Sequence, residues 1–335
     1  MGLVVKDLFK KYGEKIVVDH VSFEMPQPGV YALLGSNGAG KSTTIRMTLG
    51  MLERTGGEVT WNGGPLNFDT CNIGYLAEER GLYPKYSLMD QIKYFGELRG
   101  VTGKTLTDRI ASLAERLKVE EYLYPEKAEE ILSKAGVLDT SDEKKSAMAL
   151  KKKHKPKTAD QLSKGNQQKI QFLIALLSDP ELIVLDEPFS GLDPVNTDIL
   201  KEVVREQIAR GKYIIMSSHQ MEVVEEFCTD ITILHRSKAV VSGNLNDIKK
   251  SYGRVNVLLK VEQDVSEEIK AVGAEIISEK EHEYRIRVTG DEQANQLLRR
   301  LIEKNIPVVK FDLSELSLHE IFVREVGDEA VESKQ

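Results

Sequence analysis

No stretch of this 335-residue chain approaches the ~18 uninterrupted apolar residues that a membrane-crossing helix needs. The opening residues, Met1-Gly2-Leu3-Val4-Val5-Lys6-Asp7, also lack the apolar core of a signal peptide. From these absences we expect an intracellular chain that does not itself span a membrane. Basic excess is missing too. The net charge of −7 and a pI near 5.6 argue against a protein whose main affinity is for nucleic acid, because phosphate binding needs a basic surface. Cysteine is scarce: Cys71 and Cys228 lie far apart and in no metal-ligand spacing, which reads as a reduced compartment and ordinary buried thiols. There is no internal repeat of ~20 to 50 residues, so a solenoid or propeller is excluded. What is present is 41% apolar residues, enough for one large core and a small second domain.

The pattern along the chain is that of an α/β protein. Val21, Phe23 and Met25 alternate with Ser22 and Glu24, as a half-buried strand does. Val30-Tyr31-Ala32-Leu33-Leu34 is continuously apolar, as a strand covered on both faces is. Leu88, Ile92, Phe95 and Leu98 fall at helical spacing between Ser87 and Gly100, and Leu106, Ile110, Leu113 and Leu117 repeat it. Alternation resumes with Leu182-Ile183-Val184-Leu185, a helix carrying Ile199, Val203 and Ile208, and the run Tyr213-Ile214-Ile215-Met216.

The segment Gly35-Ser36-Asn37-Gly38-Ala39-Gly40-Lys41-Ser42 follows a predicted strand and opens a predicted helix, the context of a phosphate-binding loop. Glycines at these spacings let the backbone curl until its N–H groups face inward, where the helix also directs its positive end. Lys41 is then placed to reach the β- and γ-phosphates, and the Ser42 hydroxyl to hold Mg²⁺. Far along the chain, the strand Leu182 to Leu185 ends in Asp186-Glu187-Pro188. Ligands of an open parallel sheet bind beyond the C-terminal ends of strands, so these carboxylates and the phosphate loop share one crevice. Asp186 suits Mg²⁺, and Glu187 suits the general base that accepts a proton from an attacking water.

Leu162-Ser163-Lys164-Gly165-Asn166-Gln167-Gln168-Lys169, just upstream of the acidic strand, resembles the signature motif of the ATP-binding-cassette family. Lys164 and Asn166 replace its usual second glycine and glutamine; Ser163 and Gly165, which touch phosphate in the family, are retained. Other family elements follow in order. Tyr12 resembles the aromatic residue that stacks on adenine, and Val17 the small apolar residue beneath the ribose. Thr43 follows Ser42 in the phosphate loop. Ser190-Gly191-Leu192-Asp193 resembles the loop through which paired cassettes communicate, and Ser217-Ser218-His219 the switch that brings His219 to the γ-phosphate. After the strand Ile73-Gly74-Tyr75-Leu76 the family places a glutamine that helps hold Mg²⁺ and the attacking water; this chain has Glu78 there, a hard oxygen ligand that adds negative charge.

The resemblance implies a nucleoside-triphosphatase cassette over residues 1–245, with a mixed sheet core and a helical subdomain over about 85–178, enlarged over about 120–160. Residues 246–335 read β-α-β-β-α-β, from strands at Val255 to Val261, Ala274 to Ile277, Tyr284 to Val288 and Val308-Val309, which fits a smaller ferredoxin-like α+β domain. The wording around Gly74 to Pro84 and Leu162 to Lys169 is similar to the sodium-exporter branch, of ABC-2 type. The resemblance further implies ATP and Mg²⁺ as ligands, and a second cassette, identical or different, whose Ser163 and Gly165 close on this chain's nucleotide. It implies a separate multi-span permease, no nucleic acid, and a peripheral place on the cytoplasmic face of the membrane. A soluble ATPase or a regulatory or immunity module stands as the alternative. Seven lysines lie between Lys144 and Lys157, with His154 and Pro156; the two readings of this stretch are a solvated face or a contact with anionic lipid headgroups.

Overall fold

The computed structural model describes residues 2–79, 81–124 and 157–327. The lysine-rich stretch, up to residue 156, therefore lies outside the described residues. The chain divides into two compact units, Met1–His219 with Leu234–Ala239, and Gln220–Ile233 with Val240–Gln335.

The first unit combines an antiparallel and a parallel set of strands. β1 (Leu3–Tyr12) and β2 (Lys15–Met25) form a hairpin, and β1 also pairs with β4 (Gly56–Trp61), which carries the short β5 (Gly64–Pro65). All of these neighbours are antiparallel. β3 (Gly29–Leu34), β6 (Ile73–Leu76), β7 (Leu182–Asp186) and β8 (Tyr213–Ser218) are parallel, in the order β3-β8-β7-β6. β7 is buried along its whole length and β3 and β8 nearly so, as their unbroken apolar runs require when both faces are covered. The register pairs Leu34 with Ser218 and Asp186 with Ser217, which brings three strand ends level at one edge.

Helix α1 (Lys41–Thr48) follows β3 directly. The helical segment comprises α2 (Leu88–Leu98), α3 (Gly103–Arg116) and α4 (Glu120–Leu123), with α5 (Lys164–Leu176) behind a single-turn 3-10 helix at Ala159–Gln161. α3 turns its apolar stripe inward, burying Leu106, Ile110 and Leu113, whereas α2 buries Leu88 and Ile92 of its expected stripe and leaves Phe95 half-buried and Leu98 exposed at its last turn. Ser87 bridges to Thr158, and Leu88 N–H donates to the Lys157 carbonyl at 3.0 Å, so the start of α2 is tied to the approach to α5. Helix α6 (Pro194–Ala209) begins with Asp193 as its N-cap and proline in its first turn, the two residues best suited to a helix start.

β9 (Asp230–His235) and β10 (Lys238–Asn244) carry the chain across the unit boundary. The second unit contains α7 (Met221–Phe227), α8 (Leu245–Ser251), β11 (Arg254–Val261), α9 (Ser266–Ala271), β12 (Glu275–Lys280), β13 (Glu283–Arg287), α10 (Asp291–Glu303), β14 (Val308–Glu315) and α11 (Leu318–Val326). From β11 onward this is the expected β-α-β-β-α-β succession. Its strands lie in the order β12-β13-β11-β14, every neighbouring pair antiparallel, around a core that includes Val257, Leu259, Tyr284, Ile286, Leu297 and Leu301. Among the described residues no helix is long and apolar enough to cross a membrane. Cys71 and Cys228 are free thiols, both buried, and burial pushes the Cys71 thiol up to about 12 and the Cys228 thiol higher still, which keeps both protonated and inert.

Candidate active site

The loop between β3 and α1 takes its shape from three glycines. Gly35, Gly38 and Gly40 have φ of 154°, 81° and 108°, values that side-chain-bearing residues rarely adopt. At Gly40 a methyl group would also stand 2.7 Å from the Val17 carbonyl oxygen. The loop is thus a cradle pressed against β2 that a Cβ would fill. Ala39 N–H closes on the Ser36 carbonyl at 3.2 Å, and Thr44 N–H and hydroxyl both bond the Gly40 carbonyl, fixing the first turn of α1.

Lys41, 6% exposed, folds back over the cradle: its Nζ donates to the Gly35 carbonyl at 2.8 Å and to that of Ser36 at 3.5 Å. A cleft of about 380 Å³ opens here, walled by Lys15, Val17, Ser36, Asn37, Gly38, Gly40, Lys41, Ser42, Thr43, Glu78 and Glu187. Its floor of backbone N–H groups, helix end and lysine is a donor set for phosphate oxygens.

The β7 and β8 ends supply the acidic side. Asp186 is fully buried, and its Oδ1 accepts hydrogen bonds from Ser217 Oγ at 2.5 Å and Ser42 Oγ at 3.1 Å. Its other oxygen, Oδ2, is buried and has no hydrogen-bond partner among the described residues. Burial is the largest influence on this carboxyl and raises its pKa, outweighing the two hydroxyl donors. A spare, desolvated hard oxygen next to a serine hydroxyl fits Mg²⁺, which takes one or two carboxylates and completes its shell with phosphate and water. Among the described residues no group of three or more His, Cys, Asp or Glu is placed to hold a metal ion.

Glu187 turns away from Asp186 because its backbone is left-handed, φ 50°. That turn carries its carboxylate between two cations or potential cations: Lys41 Nζ is 3.1 Å from Oε1 and His219 Nδ1 is 2.8 Å from Oε2. The Glu187 N–H donates to Ser217 Oγ at 2.9 Å. Gln168, in α5, donates through Nε2 to the Pro188 carbonyl at 2.7 Å, tying that helix to the loop that carries Glu187. Chemically, the arrangement can grip a phosphate chain, hold a divalent cation and take a proton from a water beside the terminal phosphate.

Of the residues expected from the sequence, Val17, Ser36, Asn37, Gly38, Gly40, Lys41, Ser42, Thr43, Glu78 and Glu187 meet in the cleft wall. Asp186 and His219 join them through the bonds to Ser42 and Glu187. Gly35 and Ala39 lie buried beneath the loop. Tyr12 stands outside the wall, 52% exposed, with Lys10 Nζ 4.7 Å from its ring centre. Ser163, Gly165 and Asp193 are outside it as well. Ser163 is exposed and caps α5, accepting from Asn166 N–H at 3.3 Å. Gly165 is buried against Asn196 and Leu192, and Asp193 accepts from Asn196 N–H at 2.9 Å, a bond that lowers its pKa. Sequence reasoning missed Lys15, Ser217 and Gln168 as contributors. Ser217 carried a signal, a polar residue ending an apolar strand; Lys15 and Gln168 carried none beyond their neighbours.

The family model described as "ABC transporter" matches residues 18–190, and that described as "ATP-binding protein DrrA1-3-like, C-terminal domain" matches residues 243–326. The chain is 37% identical to the uncharacterized ABC transporter ATP-binding protein YhaQ of Bacillus subtilis (strain 168), over 97% of this chain and 98% of that one. It is 28% identical to the Nod factor export ATP-binding protein I of Ralstonia nicotianae, over 73% of this chain and 68% of that one. A solved structure titled "Structure of ATP binding subunit of ABC transporter" aligns with a TM-score of 0.60 and 27% identity, covering 75% of this chain and 93% of that one.

Proposed function

The chain belongs to the ABC transporter family, as an ATP-binding subunit that hydrolyses ATP, and from that membership we propose that it powers export through a separate multi-span permease on the cytoplasmic face of a membrane. The observation that carries the reading is the meeting of the phosphate loop, Asp186, Glu187 and His219 at one strand edge. The direction of transport rests on the exporter name of the Ralstonia relative and on the similarity of the C-terminal region to that of an ATP-binding protein of DrrA1-3 type.

In this reading residues 1–245 are the ATPase domain and residues 246–335 a small C-terminal domain. The backbone N–H groups of Ser36 to Ser42 and the Lys41 ammonium bind the phosphates of ATP; Val17 and Tyr12 border the ribose and adenine. Ser42 Oγ, Asp186 Oδ2 and Glu78 would hold Mg²⁺, which would supply charge neutralisation for the phosphate chain. Lys41 and His219 both contact Glu187. With ATP in the cleft these two side chains turn to the γ-phosphate, and Glu187 accepts the proton of the water that attacks it. Ser163 and Gly165 face the nucleotide of a second cassette, with Asp193 at the junction, which accounts for their distance from this chain's own cleft. Closing of the pair on ATP and opening after hydrolysis is the stroke delivered to the permease.

Glu187→Gln tests the base. Steady-state phosphate release should fall at least ~100-fold, while ATP affinity stays within about threefold of wild type. Turnover at the wild-type level would exclude Glu187 as the base.

A further inference from the structure

Asp186 and Glu187 are adjacent in the chain and do different work, so something must hold the two carboxylates in a fixed relation. Strand β7 ends at Asp186, and the turn at Glu187 is left-handed, a conformation unfavourable for a residue with a Cβ. Such a turn persists only where surrounding bonds over-determine it. One side chain, two residues ahead of His219, bonds to both residues. Ser217, 0% exposed on the adjacent strand β8, donates its hydroxyl proton to Asp186 Oδ1 at 2.5 Å and accepts the Glu187 N–H at 2.9 Å. The Ser217 carbonyl receives the same N–H at 3.3 Å, so the main chain and side chain of one residue bracket the turn.

We propose that Ser217 is a positioning residue of the hydrolytic site, its hydroxyl setting the Asp186 carboxylate for the metal and the Glu187 backbone for the base as one unit. The proposal rests on the metal and base roles given above. Three features of the geometry carry it. The Ser217 donor occupies Oδ1, and Oδ2 is the oxygen left without a partner, so the hydroxyl decides which lone pairs are free for a cation. The parallel register places Ser217 directly opposite Asp186, which leaves the hydroxyl little room to serve another group. Ser217 is fully buried, so an alanine here leaves Asp186 Oδ1 with only the longer Ser42 bond and the Glu187 N–H with only the longer bond to the residue-217 carbonyl.

The test uses the full chain with ADP and Mn²⁺ as the probe, reading bound Mn²⁺ by electron paramagnetic resonance alongside ATP turnover. In Ser217→Ala the Mn²⁺ midpoint should rise about tenfold or more, the range for groups that orient a metal ligand, with metal-free nucleotide affinity nearly unchanged. Its kcat should fall at least tenfold with little change in the KM for ATP, and Ser217→Thr, which keeps the hydroxyl, should restore most of both. A purely structural role would lower melting temperature without moving the Mn²⁺ midpoint. Should the alanine variant not fold, Ser217→Cys, a weaker donor, is judged by the same criteria. Asp186→Asn separates the two levels of the reading. If it abolishes Mn²⁺ binding while Ser217→Ala keeps the wild-type midpoint and kcat, the positioning role is overturned and the metal role survives. If Asp186→Asn binds Mn²⁺ as wild type does, the metal role falls and the proposal with it.

Discussion

Asp186 and Glu187 sit in the same buried edge and meet opposite surroundings. Asp186 has two hydroxyl donors on one oxygen and none on the other, and its burial raises its pKa; Glu187 has Lys41 and His219 against its two oxygens. A carboxyl whose folded-state pKa is raised favours the neutral form, so its contribution to stability is present below the unfolded value of about 3.9 and is lost as pH rises through the folded value. At neutral pH without metal, burial of Asp186 therefore costs stability. Asp186→Asn keeps an acceptor for Ser42 and Ser217 and removes the charge. It should raise the melting temperature of the metal-free protein at pH 7.5 by about 2 °C or more, an advantage that shrinks as the pH is lowered toward 4. An Asp186→Asn variant less stable than wild type at pH 7.5 would show that the hydroxyl bonds outweigh the buried charge.

At the scale of the element, helix starts do most of the positioning. α1 begins on Gly40 and aims its first turn into the cleft, α5 begins on Ser163, and α6 begins on Asp193. The caps were legible because serine or aspartate ahead of a helical stripe has a local cause, satisfaction of unpaired N–H groups. The approach to α2 and its outer face carry a different feature. Tyr83, Tyr86, Tyr94 and Leu98 are all more than half exposed, and Tyr83 and Tyr86 meet edge to face at 5.8 Å. An exposed aromatic patch of this kind suits a partner surface, and the proposed permease is the partner against which it is tested. Replacing Tyr83, Tyr86 and Tyr94 together by alanine should leave ATP binding by the isolated chain unchanged and lower recovery of the permease after mild-detergent solubilisation at least tenfold. Undiminished recovery would place the permease contact elsewhere.

The whole molecule works, in this reading, only as a pair. One chain's cleft contains the phosphate loop, Glu78 and Glu187, while Ser163 and Gly165 lie outside its wall. Glu187→Gln with MgATP should therefore elute as a dimer in size-exclusion chromatography, and the same protein with ADP as a monomer; a monomer in both would refute closure across a subunit boundary. The sequence by itself determined the phosphate loop, the acidic strand end, the alternation of strands and helices and the β-α-β-β-α-β succession. Each of these is written in residues close together in the chain, through glycine conformation, apolar runs and helical or alternating spacing. Tertiary structure alone decided that Ser217 bonds Asp186, that Lys41 reaches Glu187, and that Gln168 braces the loop beyond it. Those contacts join residues separated by up to 146 positions, from Lys41 to Glu187, and depend on strand register and on one left-handed backbone angle. A shift of a single residue in register would send every side chain of the strand to its other face. Local sequence carries no measure of that register, because it is set by the packing of the whole sheet.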